Sequence, residues 1–228
     1  MRTYNADIIS TDANTDFMLD PKFIEAYNAC KIADGNRLLG NDYDIRWRIH
    51  TFLWAAKYAS KIEGDFVDIG GGFGLFSSAI YKFLDFQNLD KTYFLLDSFQ
   101  GLEDKNLEPE EVHRLSVYRR HGNWYEEIKE KFKDYHNMKI IPGFIPDTLS
   151  QITTEKIAYA SIDLNCVQPE KDALTFIWEK LVNGGIIVFD DYAFPGHEKQ
   201  KKSHDTFAKE KNCLIFTVPT GHGVLIKS

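Results

Sequence analysis

Apolar residues along this chain fall into two kinds of block. Short continuous runs stand at Phe66–Ile69 (broken only by Asp68), Tyr93–Leu96, Met138–Ile141, 157–162 and 184–189, and each reads as a buried strand. Between them apolar positions recur at helical spacing: Leu75, Phe76, Ala79, Ile80, Phe83 and Leu84 after the first run, and a stretch over Pro169–Val182 after the fourth. Such alternation predicts an α/β fold with a doubly wound, mostly parallel sheet. The last two runs differ. Cys213–Val218 and Gly223–Lys227 are separated only by a Pro-Thr-Gly-His turn, so they should close the sheet as an antiparallel hairpin. A charged helix over Glu198–Lys211 precedes them.

The flanks are less regular. Residues 1–19 are polar and predict irregular structure. Pro21 suits the start of a helix with Phe23, Ile24, Tyr27 and Ile32 on one face, ended by Gly35. A second helix from about Asp44 places Ile45, Ile49, Leu53 and Ala56 together. It leaves Arg46, Arg48 and His50 on other faces, as a solvated surface or a substrate-facing cap. Together these form an N-terminal helical cap over residues 1–60, leading into a core at 61–228 within one domain. Residues 98–136 read as an insertion into that core. It has helices expected at Pro109–Tyr118 and Trp124–Tyr135, and Arg119, Arg120 and His121 between them as wet surface or an anion-reading loop.

Composition narrows the function. The 228 residues carry a net charge of −7, which disfavours nucleic acid as a general partner. Three dispersed cysteines form neither a zinc motif nor a disulfide framework, and no apolar run is long enough to span a membrane. A cytoplasmic protein is expected.

The chemistry centres on Asp65–Gly74, where the first strand enters a glycine-rich turn. Glycine there accepts positive φ and lets a ligand lie against the backbone, facing the amides of the turn and the next helix. The spacing is not G-x-G-x-x-G, because Leu75 and Ser77 stand where the third glycine would be. This argues against a nicotinamide-dependent oxidoreductase, and so does the closing hairpin. The pattern is Asp68-x-Gly70-x-Gly72-x-Gly74, and it resembles motif I of the class I S-adenosylmethionine-dependent methyltransferases. That resemblance implies a seven-stranded sheet. It also implies cofactor contacts from Asp68, Gly70, Gly71, Gly72 and Gly74. Asp97 and Ser98 end the second run, 23 residues after Gly74, where a carboxylate suits the two hydroxyls of a ribose. Phe144 and Ile145, after the third run, suit a flat base.

Asp163 and Asp190 each end a parallel strand, and one helix joins those strands. The two should therefore be neighbours at the sheet's carboxyl edge, with Asp191 beside them. Three converging carboxylates call for a hard divalent cation: Mg²⁺, Mn²⁺ or Ca²⁺. Such an ion would acidify and align an acceptor hydroxyl for in-line attack. Asp163, or His197 shortly after the aspartate pair, would take the proton.

EGDFVDIGGGFG, YFLLDSFQGL, GFIPDTL, the Asp163 segment and GGIIVFDDY occur in the order seen in macrocin-type O-methyltransferases. The resemblance covers roughly residues 44–227. It implies a metal-dependent enzyme that methylates a sugar hydroxyl in a glycan or glycosylated natural product. It further implies metal ligation by Asp163, Asp190 and Asp191, cofactor contacts from Asp68–Gly74 and Asp97, and a homodimer. Catechol-type methyltransferases place a lysine where this chain has Cys166, so a catechol acceptor is disfavoured. Outside catalysis, the rival reading is a cofactor-binding protein without activity.

Overall fold

A computed structural model describes residues 3–37 and 43–228. Residues 1–2 and 38–42 of the expected cap lie outside it. The elements, in chain order, are β1 (Tyr4–Ala6), β2 (Ile9–Thr11), α1 (Pro21–Asp34), α2 (Arg46–Ala59), β3 (Asp65–Ile69), α3 (Leu75–Leu84) and β4 (Tyr93–Asp97). They continue with α4 (Leu115–Tyr118), α5 (Tyr125–Phe132), β5 (Met138–Pro142), β6 (Ile157–Ile162), α6 (Val167–Lys180), β7 (Leu181–Phe189), α7 (Glu198–Glu210), β8 (Ile215–Thr217) and β9 (Gly223–Ile226).

The main sheet has seven strands in the order β5-β4-β3-β6-β7-β9-β8. The first five are parallel, and β9 runs antiparallel to both β7 and β8. The doubly wound sheet and its closing hairpin are therefore as expected. Strand alternation divides the core into two layers. Phe66, Tyr93, Leu95, Tyr159, Ile186 and Val188 face α1, α2 and α3. Val67, Ile69, Phe94, Ala160, Ile162 and Ile187 face α6 and α7.

Several expectations need correction. Residues 4–11 are not irregular but form the β1–β2 hairpin, turning through Asp7 and Ile8 at positive φ. Helix α1 is capped by the Asp20 carboxylate, which accepts from the amides of Lys22 and Phe23. Its buried face is Phe23, Ala26, Cys30 and Ala33, while Ile32 is 79% exposed. Small residues win because α1 lies close against α3. The expected helix at Pro109–Tyr118 is a 3₁₀ segment over Pro109–Arg114 followed by the single turn of α4. The helix expected to reach Val182 ends at Lys180, and β7 begins at Leu181.

Candidate functional site

Each parallel strand ends at the same edge of the sheet, and the turns there surround a cleft with about 920 Å³ of empty space, partly open to solvent. Its walls include Gly70, Gly72, Asp97, Ser98, Phe144, Ile145 and Asp163, all of them anticipated. Residues 98–136 supply Tyr118, His121 and Trp124. Of the basic trio, Arg119 and Arg120 remain on the surface, but His121 faces the cleft.

The glycine turn shows why it must be glycine. Gly70 has φ +84°, and a Cβ there would run into the carbonyl oxygen of Asp163. Gly72 has φ +53°, and a Cβ there would meet nothing but open space. The turn thus packs tightly against β6 at Gly70 and stays bare at Gly72. Asp97 crosses from β4 to brace it. One carboxylate oxygen accepts from the Gly72 amide at 2.8 Å and the other from the Phe99 amide at 2.6 Å. Burial raises the Asp97 pKa, against the pull of those amides. Each oxygen keeps a second lone pair for a ligand hydroxyl.

Three of the expected cofactor contacts do not line the cleft. Asp68 points to the opposite face of β3, where its carboxylate accepts from Ser77 at 2.5 Å, Ser161 at 2.9 Å and Tyr93 at 3.3 Å. Strand alternation dictates this, since Asp68 shares a face with Phe66. Its burial raises the pKa to about 6 despite those donors. Gly71 packs against Leu95, and Gly74, capping α3, packs against the Phe132 ring. These three shape the turn from behind.

Asp163, Asp190 and Asp191 do converge, each offering an oxygen within 4.8 Å of the others. The register explains it. Ile162 pairs with Phe189, so the residues that follow leave the sheet side by side. Asp163 accepts from the Asn165 side-chain amide at 2.7 Å, and Tyr118 donates to Asn165 at 2.5 Å. Asp190 has far stronger support. Arg48 donates to its two oxygens at 3.0 and 2.9 Å, and His222 Nε2 lies 3.0 Å from Oδ1. Thr220 completes that chain at His222 Nδ1, 2.8 Å away.

These surroundings push the acids apart. Burial opposes charge on Asp190, but Arg48 and His222 outweigh it and hold the carboxyl at about 2. Burial and then the neighbouring Asp190 raise Asp163 well above the usual range and Asp191 to about 8. His197 lies 3.4 Å from Asp191 but outside hydrogen-bond geometry, and both ring nitrogens lack a hydrogen-bond partner. Burial, with help from Arg114, keeps its pKa below the usual 6.5.

His222, Asp7 and Asn165 are residues at the site that the sequence pattern does not single out, and of the two placements open to Arg48 the structure excludes the solvated one. Arg48 is buried, not on a solvated face. The signal was present, because Arg48 is three residues after Ile45 and four before Phe52, on the helix's buried stripe. His222 becomes legible once β9 is known to lie against β7. Phe189 pairs with Gly223, which sets His222 beside Asp190.

The strand order, the glycine turn and the carboxyl-edge cleft together are the class I methyltransferase fold. Within that class, the chain belongs to the macrocin O-methyltransferase (TylF) family, whose model matches residues 48–214. It is 27% identical over 144 residues to demethyldecarbamoylnovobiocin O-methyltransferase of Streptomyces niveus, covering 58% of this chain and 54% of that protein. It is 25% identical over 182 residues to an 8-demethyl-8-(2,3-dimethoxy-alpha-L-rhamnosyl)-tetracenomycin-C 4'-O-methyltransferase of Streptomyces olivaceus, covering 69% and 67%. The matched stretch thus spans about half to two thirds of these relatives' own length. Among solved structures, the O-methyltransferase NovP superposes with a TM-score of 0.71 at 18% identity, covering 94% of this chain and all of that one. The calicheamicin methyltransferase CalS11 gives 0.66 at 14% identity, covering 98% and 96%. No helix among the described residues is long and apolar enough to cross a membrane.

Proposed function

We propose that this protein is an S-adenosylmethionine-dependent O-methyltransferase that acts on a sugar hydroxyl of a glycan or glycosylated natural product. One observation carries the reading: Asp163 belongs both to the cleft wall and to the acidic triad. The donor's cleft and the triad therefore meet at a single residue. The family and the names of the relatives support the reaction class.

In the cleft, Gly72 offers bare backbone to the methionine end of the cofactor, Asp97 accepts from ribose hydroxyls, and Phe144 and Ile145 flank the adenine. The triad fits a divalent cation. It is an all-oxygen donor set with Asp190 buried and Asp163 and Asp191 half-buried, and the guanidinium nearest Asp191, that of Arg48 at 3.8 Å, is already hydrogen-bonded to Asp7 and Asp190. An ion held by Asp163, Asp190 and Asp191 would supply Lewis acidity to an acceptor hydroxyl. The reaction balances simply. The hydroxyl loses its proton, its oxygen attacks the sulfonium methyl, and the carbon–sulfur pair stays on sulfur as the thioether. His197 suits the proton, since it is neutral near pH 7 with both nitrogens unpartnered; Asp163 is the alternative acceptor.

The test is calorimetric titration with S-adenosylhomocysteine, then Mg²⁺, on the wild type and on an Asp190→Ala/Asp191→Ala variant. We expect both proteins to bind the cofactor product and only the wild type to bind the ion. Absence of cofactor binding in the wild type would overturn the reaction class. Cofactor binding with no metal response would remove the cation from the mechanism.

A further inference from the structure

The aspartate that receives the most support in the triad is held by a residue from the N-terminal cap. Arg48 projects from α2 and is 7% exposed. Its Nε and Nη2 donate to the Asp7 carboxylate at 3.1 and 2.9 Å, and its Nη1 donates to Asp190. Asp7 sits in the turn of the β1–β2 hairpin, and Tyr43 donates to it at 3.1 Å. The fork geometry matters. Two parallel bonds to Asp7 fix the plane of the guanidinium, which fixes the direction of Nη1.

A cation beside a metal site ordinarily weakens metal binding. Here the arginine's single charge is matched by Asp7, so the Asp7–Arg48 pair adds no net charge to the triad. It contributes direction, while Arg48 Nη1, 2.9 Å from Asp190 and 3.8 Å from Asp191, also favours their charged forms. His222 holds the other side of Asp190 Oδ1. We propose that Asp7 and Arg48 are positioning residues for a divalent cation: together they orient Asp190 so that the lone pair left free on Oδ2 faces Asp163 and Asp191. This rests on the metal reading given above. Partners of this kind that orient metal ligands commonly alter affinity 10- to 100-fold when removed.

The decisive variant replaces the neutral pair with neutral residues: Asp7→Asn/Arg48→Met. It removes the strut while leaving the site's net charge unchanged. Mn²⁺ and Mg²⁺ affinities are measured by calorimetry, with S-adenosylhomocysteine affinity and thermal unfolding measured alongside. We expect metal affinity to fall about tenfold or more. S-adenosylhomocysteine affinity should stay within about twofold, because neither residue lines the cleft. Arg48→Lys should recover part of the loss, because an ammonium can reach one carboxylate but cannot bridge two as a fork. Metal binding by the double variant at wild-type strength or tighter would overturn the proposal and make Arg48 a mere stand-in for the cation. A parallel loss of cofactor binding would reduce the pair to a general structural role and also overturn it. A wild type that binds no metal would instead refute the cation itself, so the two failures are distinct.

Discussion

Gly70 and Gly72 sit two residues apart in one turn, yet alanine should fail differently at each. Both have positive φ, and a non-glycine residue in that region costs about 1 kcal/mol. At Gly72 that is the whole structural cost, because the added methyl meets open space. At Gly70 the methyl collides with the Asp163 carbonyl, and this is backbone held by the Asp163 amide's bond to Ile69 at 2.9 Å. Relief requires β6 and the turn to separate locally, adding roughly 2 kcal/mol on the scale of overpacked cores. For a chain of this size, 1 kcal/mol corresponds to about 2–4 °C in Tm. Gly72→Ala should therefore lower Tm by about 2–4 °C, and Gly70→Ala by about 6–12 °C. Cofactor affinity should separate the two again. Gly72→Ala should lose S-adenosylhomocysteine binding at least about tenfold while remaining well folded, since its methyl occupies the cleft. Differential scanning fluorimetry and calorimetry on the two variants give the answer. Equal Tm losses would refute the close approach at Gly70, and an unchanged affinity in Gly72→Ala would refute the bare backbone as a cofactor contact.

Further tests address the acids and the base. Asp68 has a folded-state pKa of about 6 against 3.8, so the folded chain binds its proton more tightly. Its contribution to stability is complete below about pH 4 and is lost as pH rises through 6, a difference of about 3 kcal/mol. Asp68→Asn should therefore gain stability relative to the wild type between pH 4.5 and 7 in urea unfolding, and a flat difference would refute the buried carboxylate. Asn165→Asp places a second carboxylate at 2.7 Å from Asp163. It should destabilise by about 1–3 kcal/mol at pH 8 and by less at pH 5, and equal losses at both pH values would contradict the arrangement. His197→Ala should lower kcat by about 10²–10⁴-fold with cofactor and metal affinities unchanged, whereas a kcat within threefold would pass the base role to Asp163.

What could be read from the chain follows what sequence periodicity encodes. The central strands were legible because both their faces are buried, giving continuous apolar runs at Tyr93–Leu96 and 157–162. The triad was legible because strand ends in a parallel sheet fall at one edge. Local pattern failed where a few long-range contacts decide. The β1–β2 strands have three residues each, too short for alternation to show. The face of α1 was set by close packing on α3, which selects Ala26, Cys30 and Ala33 over larger residues. The side-chain direction of Asp68 was available from the two-residue period of β3, but the motif drew attention to its type and away from its face. Arg48 kept two placements open for a similar reason, because a charge in a helix suggests solvent even when its position lies on the buried stripe.

The order of strands at the sheet's antiparallel end has a consequence for how the protein is made. β9 is the last strand of this chain, yet it lies inside the sheet, between β7 and β8. It delivers His222 to Asp190, whose other partner, Arg48, is 142 residues away in the chain. Half-synthesised, the polypeptide can build β3, α3 and β4 from neighbouring segments, but not the triad's supports. Non-local closures of this kind are slow steps. On the ribosome, the cofactor cleft should thus gain its first wall long before the acidic centre matures. Until then, an open β7 edge is exposed to any strand that can pair with it.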